Sequence, residues 1–197
     1  MFTLEQGKEL IKLARDSIEG FFSSKNPVVG DNIKKLFSDK MGVFVTLNLG
    51  GELRGCIGIV EPTKTLYDGI ISAARSAAFS DPRFPKLSIE EFAKLAIEVS
   101  ILTRPKLMEV RNPLDLVNNV HVGKDGLMIV GTFHQGLLLP QVAVEHHWDA
   151  TMFLDQTCVK AGLPAGTWKD FNACRVYKFQ GQVFSEKSPN GEVVQLL

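Results

Sequence analysis

Arg54 and Cys56 stand two positions apart in the string Leu53-Arg54-Gly55-Cys56-Ile57-Gly58, with glycine on each side of the cysteine. Residues two apart on a β-strand share a face, so a guanidinium and a thiol here address the same ligand. Glycine inside a strand marks a bulge or a close approach by another group. The chemistry open to the pair is a nucleophilic or ligand-binding thiol beside a fixed cation, and a planar fork that grips a carboxylate or a phosphate. The plainer alternatives are a small inert cysteine filling the core and an arginine closed in an internal ion pair. Glu98 is the first partner expected for such a pair, and Asp81 the second.

Asp81 and Arg83 flank Pro82 within Asp81-Pro82-Arg83-Phe84-Pro85. Two prolines make this segment stiff and non-helical. A stiff loop suits a preorganised site and equally a rigid connector; Phe84 reads as core. The candidate set is therefore Cys56 as nucleophile, with Arg54, Gly55, Gly58, Asp81, Arg83 and Glu98 as ligand contacts. His121, His134, His146 and His147 show no HxxxH spacing, and Glu145-His146-His147 matches no zincin pattern. They read as surface polar residues, and no metal is expected. With no GxSxG, GxGxxG or Walker loop, no nucleotide cofactor is indicated.

The elements that must position these residues follow from pattern. Thr3 with Gln6 forms a capping box, and Leu10, Ile11, Ala14 and Ile18 recur at helical spacing behind it. Asn26-Pro27 and Gly30 break that pattern, and a short helical piece is expected over Ile33 to Phe37. Residues 43 to 49 alternate as a strand, Gly50-Gly51 is a hairpin turn, and the return strand carries Arg54, Cys56 and Gly58 on one face. A helix is expected from Thr63 to about Ser80, and a second, opened by the Ser88/Glu91 capping box, to about Leu95. Ile97, Val99 and Ile101 make the inner face of the next strand. Residues 106 to 120 read as irregular or partly helical. Strands are expected at 126 to 131, 137 to 139 and about 173 to 184, and a helix from Asp149 to about Ala161, closed by Gly162. Interleaved helices with strand hairpins predict an α+β fold with mixed or antiparallel sheets. Two lobes are expected: a larger one over about 1–110 plus the strand at 173–184, and a smaller one over about 115–165.

The 197 residues suffice for a full core without staples. Lys plus Arg equals Asp plus Glu, at 22 each, which argues mildly against a domain whose main task is holding a polyanion. Cys56, Cys158 and Cys174 are an odd number with no CxxC spacing, which fits a reducing, cytoplasmic setting. The first residues show no signal-peptide pattern, and no apolar run spans a membrane.

The LRGCIG string, the Asp81-Pro82-Arg83-Phe84-Pro85 loop and Ile97-Glu98-Val99-Ser100 together resemble the AMMECR family. The later segments agree: Val122-Gly123-Lys124-Asp125-Gly126-Leu127, Leu138-Leu139-Pro140-Gln141-Val142-Ala143, then Trp148, Phe153 and Ala161-Gly162-Leu163-Pro164. The resemblance covers about Leu10 to Phe184. It implies a two-lobed α+β protein whose LRGCIG strand faces a cleft, with Memo-like and radical-SAM proteins as partners. It brings no accepted catalytic set, so the site residues stand on their own chemistry. Three readings remain open: an enzyme using Cys56, a binding or adaptor module for a small ligand, peptide or RNA, and a structural motif.

Overall fold

Thr3 starts the first helix as its sequence demands: its hydroxyl accepts the Gln6 N–H while the Gln6 side chain accepts the Thr3 N–H. The computed structural model describes residues 1–197 except Asn26, Val28, Glu61 and Pro62; the expected break at Asn26 lies outside the described residues. The chain divides into two compact units, unit 1 over Met1–Leu102 and Gln182–Leu197 and unit 2 over Thr103–Gly181.

In unit 1, α1 (Leu4–Phe22) buries Leu10, Ile11, Ala14 and Ile18, and the short α2 (Asp31–Leu36) follows. β1 (Gly42–Leu49) and β2 (Glu52–Ile59) form an antiparallel hairpin through Gly50 and Gly51, both at positive φ, a conformation that costs glycine nothing. α3 (Leu66–Phe79) packs on β1 and β2. It starts three residues later than expected, because the hydroxyl of Thr65 caps it. α4 (Ile89–Phe92) is one turn; the expected run to Leu95 is cut short because Leu95 already begins β3 (Leu95–Leu102). Val43, Val45, Leu47, Ile97, Val99 and Ile101 supply the buried sheet face under the two long helices. β7 (Cys174–Glu186) and β8 (Val193–Gln195) complete the sheet of unit 1, in the order β2-β1-β3-β7-β8. β8 has no counterpart in the sequence reading, since three residues are too few to show alternation.

Unit 2 carries β4 (Lys106–Leu107), α5 (Pro113–Asn119), β5 (Asp125–Gly131), β6 (Gln135–Leu138), α6 (Pro140–Glu145), α7 (Ala150–Lys160), a 3-10 turn (Thr167–Lys169) and the first part of β7. Its strands run antiparallel in the order β4-β7-β5-β6. Leu127, Ile129, Phe153, Leu154, Trp168 and Val176 lie in its core. Asp149 caps α7 as expected, with Trp148 and Phe153 both packed into that core. The fold is α+β, and the pairs β1–β2, β1–β3, β4–β7, β5–β6, β5–β7 and β7–β8 all run antiparallel.

Candidate functional site at the edge strand of unit 1

β2 is the edge of its sheet, bonded to β1 on one side. An exposed edge presents unpaired N–H and C=O groups to solvent, and folded proteins cover such edges. Here the covering is a side-chain pair. The Asp81 carboxylate accepts the N–H of Cys56 at 2.9 Å, and the Arg83 guanidinium donates to the carbonyl of Cys56 at 3.1 Å. One acceptor and one donor thus meet the strand edge as a neighbouring strand would. Asp81 also holds Arg83 side-on: Nε–H reaches Oδ1 at 3.0 Å and Nη2–H reaches Oδ2 at 2.7 Å. The Arg83 N–H adds a fourth bond to the carboxylate.

The Asp81 side chain is 1% exposed, whereas Arg83 is 53% exposed. The hydrogen bonds from Arg83 outweigh the burial and keep the Asp81 carboxyl well below the usual carboxylate range. Reciprocally, Asp81 raises the pKa of Arg83. Among the described residues, the hydrogen bonds of Arg83 use Nε and Nη2, leaving the two donors of Nη1 directed elsewhere. Cys56 is half-buried, and the Thr46 hydroxyl donates to its sulfur at 3.3 Å. Thr46 pairs Cys56 on one side and Glu98 on the other, so Glu98 lies in the same cross-strand row with β1 between them.

Arg54 takes a different role from the one its spacing suggests. The register of β1 and β2 slips between Leu47 and Asn48, where Leu47 faces Gly55 and Asn48 faces Leu53. Arg54 is therefore the extra residue of a bulge, and bulges re-aim side chains. Its guanidinium pairs with Glu91, at 2.8 and 3.0 Å, and donates to the Pro85 carbonyl at 3.0 Å. The expected partners Glu98 and Asp81 are thus replaced by Glu91, and Asp81 belongs to Arg83. Glu91 is also the capping residue of α4, accepting the Ser88 N–H. The bonds from Arg54 and Ser88 lower the pKa of Glu91. Phe84 is half-buried, with the guanidiniums of Arg54 and Arg83 at 5.8 and 5.4 Å from its ring centroid.

The two glycines have separate causes. A Cβ on Gly55 would stand closer than 3.0 Å to the Ala77 carbonyl oxygen, so only glycine lets α3 lie this close to the strand. At Gly58 the added carbon would meet the ring of its cross-strand neighbour Phe44, which covers the space above the glycine.

Sequence reasoning missed a second polar cluster, in unit 2. The buried carboxylate of Asp125 accepts the N–H of His121 at 3.0 Å and lies 3.2 Å from His121 Nδ1 and 3.5 Å from Lys178 Nζ. The i, i+4 spacing of His121 and Asp125 was its one signal, and without a helix between them that spacing specifies nothing. Burial holds the thiol of Cys158 up at about 11 and raises that of Cys174. Among the described residues no three metal-ligating side chains converge, and no helix is long and apolar enough to cross a membrane.

The family model AMMECR1 matches residues 11–184. Protein MJ0810 of Methanocaldococcus jannaschii is 42% identical over 99% of this chain and 97% of its own length. A Methanothermobacter thermautotrophicus protein is 48% identical, covering 92% of this chain and 95% of its own. The crystal structure of the uncharacterised protein PH0010 from Pyrococcus horikoshii superposes with a TM-score of 0.87 at 42% identity, covering 97% of this chain and 96% of that one.

Proposed function

This chain belongs to the AMMECR1 family, and within it we propose a ligand-handling protein that takes a small anionic molecule at the β2 edge of unit 1. The supporting observation is the Arg83 guanidinium, fixed on two sides by buried Asp81 and by the backbone of Cys56, half-exposed, with Nη1 unengaged by either. A guanidinium already immobilised loses little further freedom on binding, so its remaining donors suit a carboxylate or phosphate. Cys56 stands beside it as a contact for the same ligand.

Binding is favoured over thiol catalysis for a chemical reason. A nucleophilic thiol needs a base or an activating cation within hydrogen-bond reach of sulfur. Among the described residues, the hydrogen bond to the sulfur of Cys56 comes from the Thr46 hydroxyl, which is no base at neutral pH, and the bond from Arg83 goes to the Cys56 carbonyl, not to the sulfur. Arg54, the cation proposed from spacing, is held by Glu91. In this reading Arg54, Gly55, Gly58 and Asp81 build the platform, Arg83 binds, and Glu98 stands in the row behind Cys56. Memo-like and radical-SAM proteins, as suppliers or receivers of the ligand in a reducing cytoplasm, extend the proposal on the strength of the family resemblance.

The test is protection of Cys56 from iodoacetamide, read by mass spectrometry on the folded protein. Cys158 and Cys174 are buried and serve as internal controls that stay unlabelled. Inorganic phosphate, pyrophosphate or a small carboxylate slows labelling of Cys56 in the native chain and does not in Arg83→Gln. If none of these anions changes the rate, or if Arg83→Gln is protected equally, the site does not bind anions through Arg83.

A further inference from the structure

Unit 2 contains a cavity of about 430 Å³ whose walls differ in character from the edge-strand site. Its origin is in the chain path. β4 bonds to β7 over Lys106 and Leu107, and the Met108 N–H still reaches the Val176 carbonyl at 2.9 Å. Beyond Met108 the chain leaves β7 and runs to Asn112, whose side chain caps α5. The space opened between the departing chain, α5 and β7 is walled by Met108, Val110, Leu116, Phe171 and Val176. These side chains also belong to, or pack against, the core of the unit.

Two cations stand at this apolar cavity, Arg111 and Arg175, against one anion, Glu109, and all three are exposed. The lining therefore combines hydrocarbon side chains with one net positive charge. The Arg175 Nη1 makes one long hydrogen bond, to the carbonyl of the preceding Cys174 at 3.4 Å. That carbonyl belongs to the stretch of β7 that β4 has left.

We infer that this cavity is a binding site for a small amphipathic acid, an aliphatic or aromatic monocarboxylate whose apolar body lies against Leu116 and Phe171 while its carboxylate meets Arg111 and Arg175. The volume falls in the range of small-molecule sites, and an apolar lining with a few converging polar groups is their usual composition. Charge complementarity selects the acid over a neutral molecule of the same shape, because the two guanidiniums exceed the single carboxylate of Glu109.

The test uses the full chain and 1-anilinonaphthalene-8-sulfonate, an apolar anion, as fluorescent probe. Octanoate displaces the probe from the native protein at a concentration about tenfold lower than 1-octanol does, on the scale of one to two exposed charge contacts. In the double variant Arg111→Gln/Arg175→Gln octanoate loses about tenfold and 1-octanol is unchanged. Both arginines are exposed, so the double variant is expected to fold; circular dichroism checks it. Met108→Trp, which fills the cavity, abolishes displaceable probe binding. Failure of octanoate to displace the probe overturns the inference, as does equal competition by 1-octanol or an unaltered octanoate affinity in the double variant. None of these outcomes bears on Cys56 labelling, so this inference and the edge-strand reading stand or fall separately.

Discussion

Removing the carboxylate of Asp81 strips β2 of its edge partner, and the size of the effect follows from the contacts. Asp81 accepts four hydrogen bonds, from the N–H groups of Cys56 and Arg83 and from Nε and Nη2 of Arg83. In Asp81→Ala the Cys56 N–H loses its acceptor, which costs about 1–3 kcal/mol where water does not replace it. Arg83 is half-exposed and regains water, so the loss of its pairing is worth less than the roughly 3–5 kcal/mol of breaking a fully buried pair. About 2–4 kcal/mol in all is expected, or roughly 5–15 °C in the unfolding transition of unit 1. Asp81→Asn restores an acceptor for Cys56 but turns amide hydrogens toward the guanidinium, and recovers less than half of the loss. The pH dependence separates this account from simple loss of packing. The folded-state pKa of Asp81 is depressed from 3.8, so its stabilisation is complete above the unfolded value and is lost as pH falls below about 3.8 toward the folded one. The stability gap between native and Asp81→Ala chains, melted in steps from pH 6 to pH 2, should therefore narrow steadily below about pH 3.8 without closing fully at pH 2. Hydrogen exchange at the Cys56 amide should accelerate in both variants at neutral pH. A loss under 1 kcal/mol at pH 6, or a difference that persists unchanged at pH 2, refutes the reasoning.

Arg54→Ala breaks the pair with Glu91 and frees the Pro85 carbonyl. Glu91 is partly exposed, so about 2–3 kcal/mol is expected, with the end of the loop at Pro85 becoming protease-sensitive, as urea melts and limited proteolysis would show. The two glycines should rank clearly. Gly55→Ala forces its methyl group against the Ala77 backbone carbonyl and costs about 3 kcal/mol or more, whereas Gly58→Ala displaces the Phe44 ring and costs about 1–2 kcal/mol. Equal losses in the two would mean that α3 shifts as easily as a ring does.

The elements around the site were legible where a local rule acts alone. The capping boxes at Thr3 and Ser88, the Gly50-Gly51 turn and the Asp149 cap follow from residues within one turn of each other. The short pieces were not: α6 and β8 are stabilised by packing, and six or three residues hold too little periodicity to reveal them. The stiff loop and the strand marked Asp81, Arg83 and Cys56 as candidates, and the structure brings the three together. Their mutual bonding was not legible, since nothing within 25 residues of chain specifies that a carboxylate will meet a strand amide. Glu91 was visible as a helix cap, and that role concealed its second. A carboxylate has about four acceptor directions, so capping Ser88 leaves room for Arg54.

The bulge at Arg54 is the step on which the site turns. Without it, strict alternation would place the guanidinium of Arg54 beside the sulfur of Cys56, as the spacing alone predicts. With it, Arg54 reaches Glu91 and Pro85, and its charge holds the far end of the 81–85 loop. The near end is held by Asp81 on Cys56. A loop fastened at both ends to one strand cannot swing its middle residues freely, and Arg83 and Phe84 are those residues. The ring of Phe84, within 6 Å of both guanidiniums, couples the two fastenings through cation–π contact. In the proposed site, the positive charge offered to a ligand beside Cys56 is therefore that of Arg83, with Arg54 keeping Arg83 in place. This division predicts an asymmetry: Arg83→Gln removes anion protection of Cys56 while leaving the loop anchored at Pro85. Arg54→Lys, which keeps the charge but not the two-pronged grip on Glu91, weakens protection only in proportion to how far it loosens the loop.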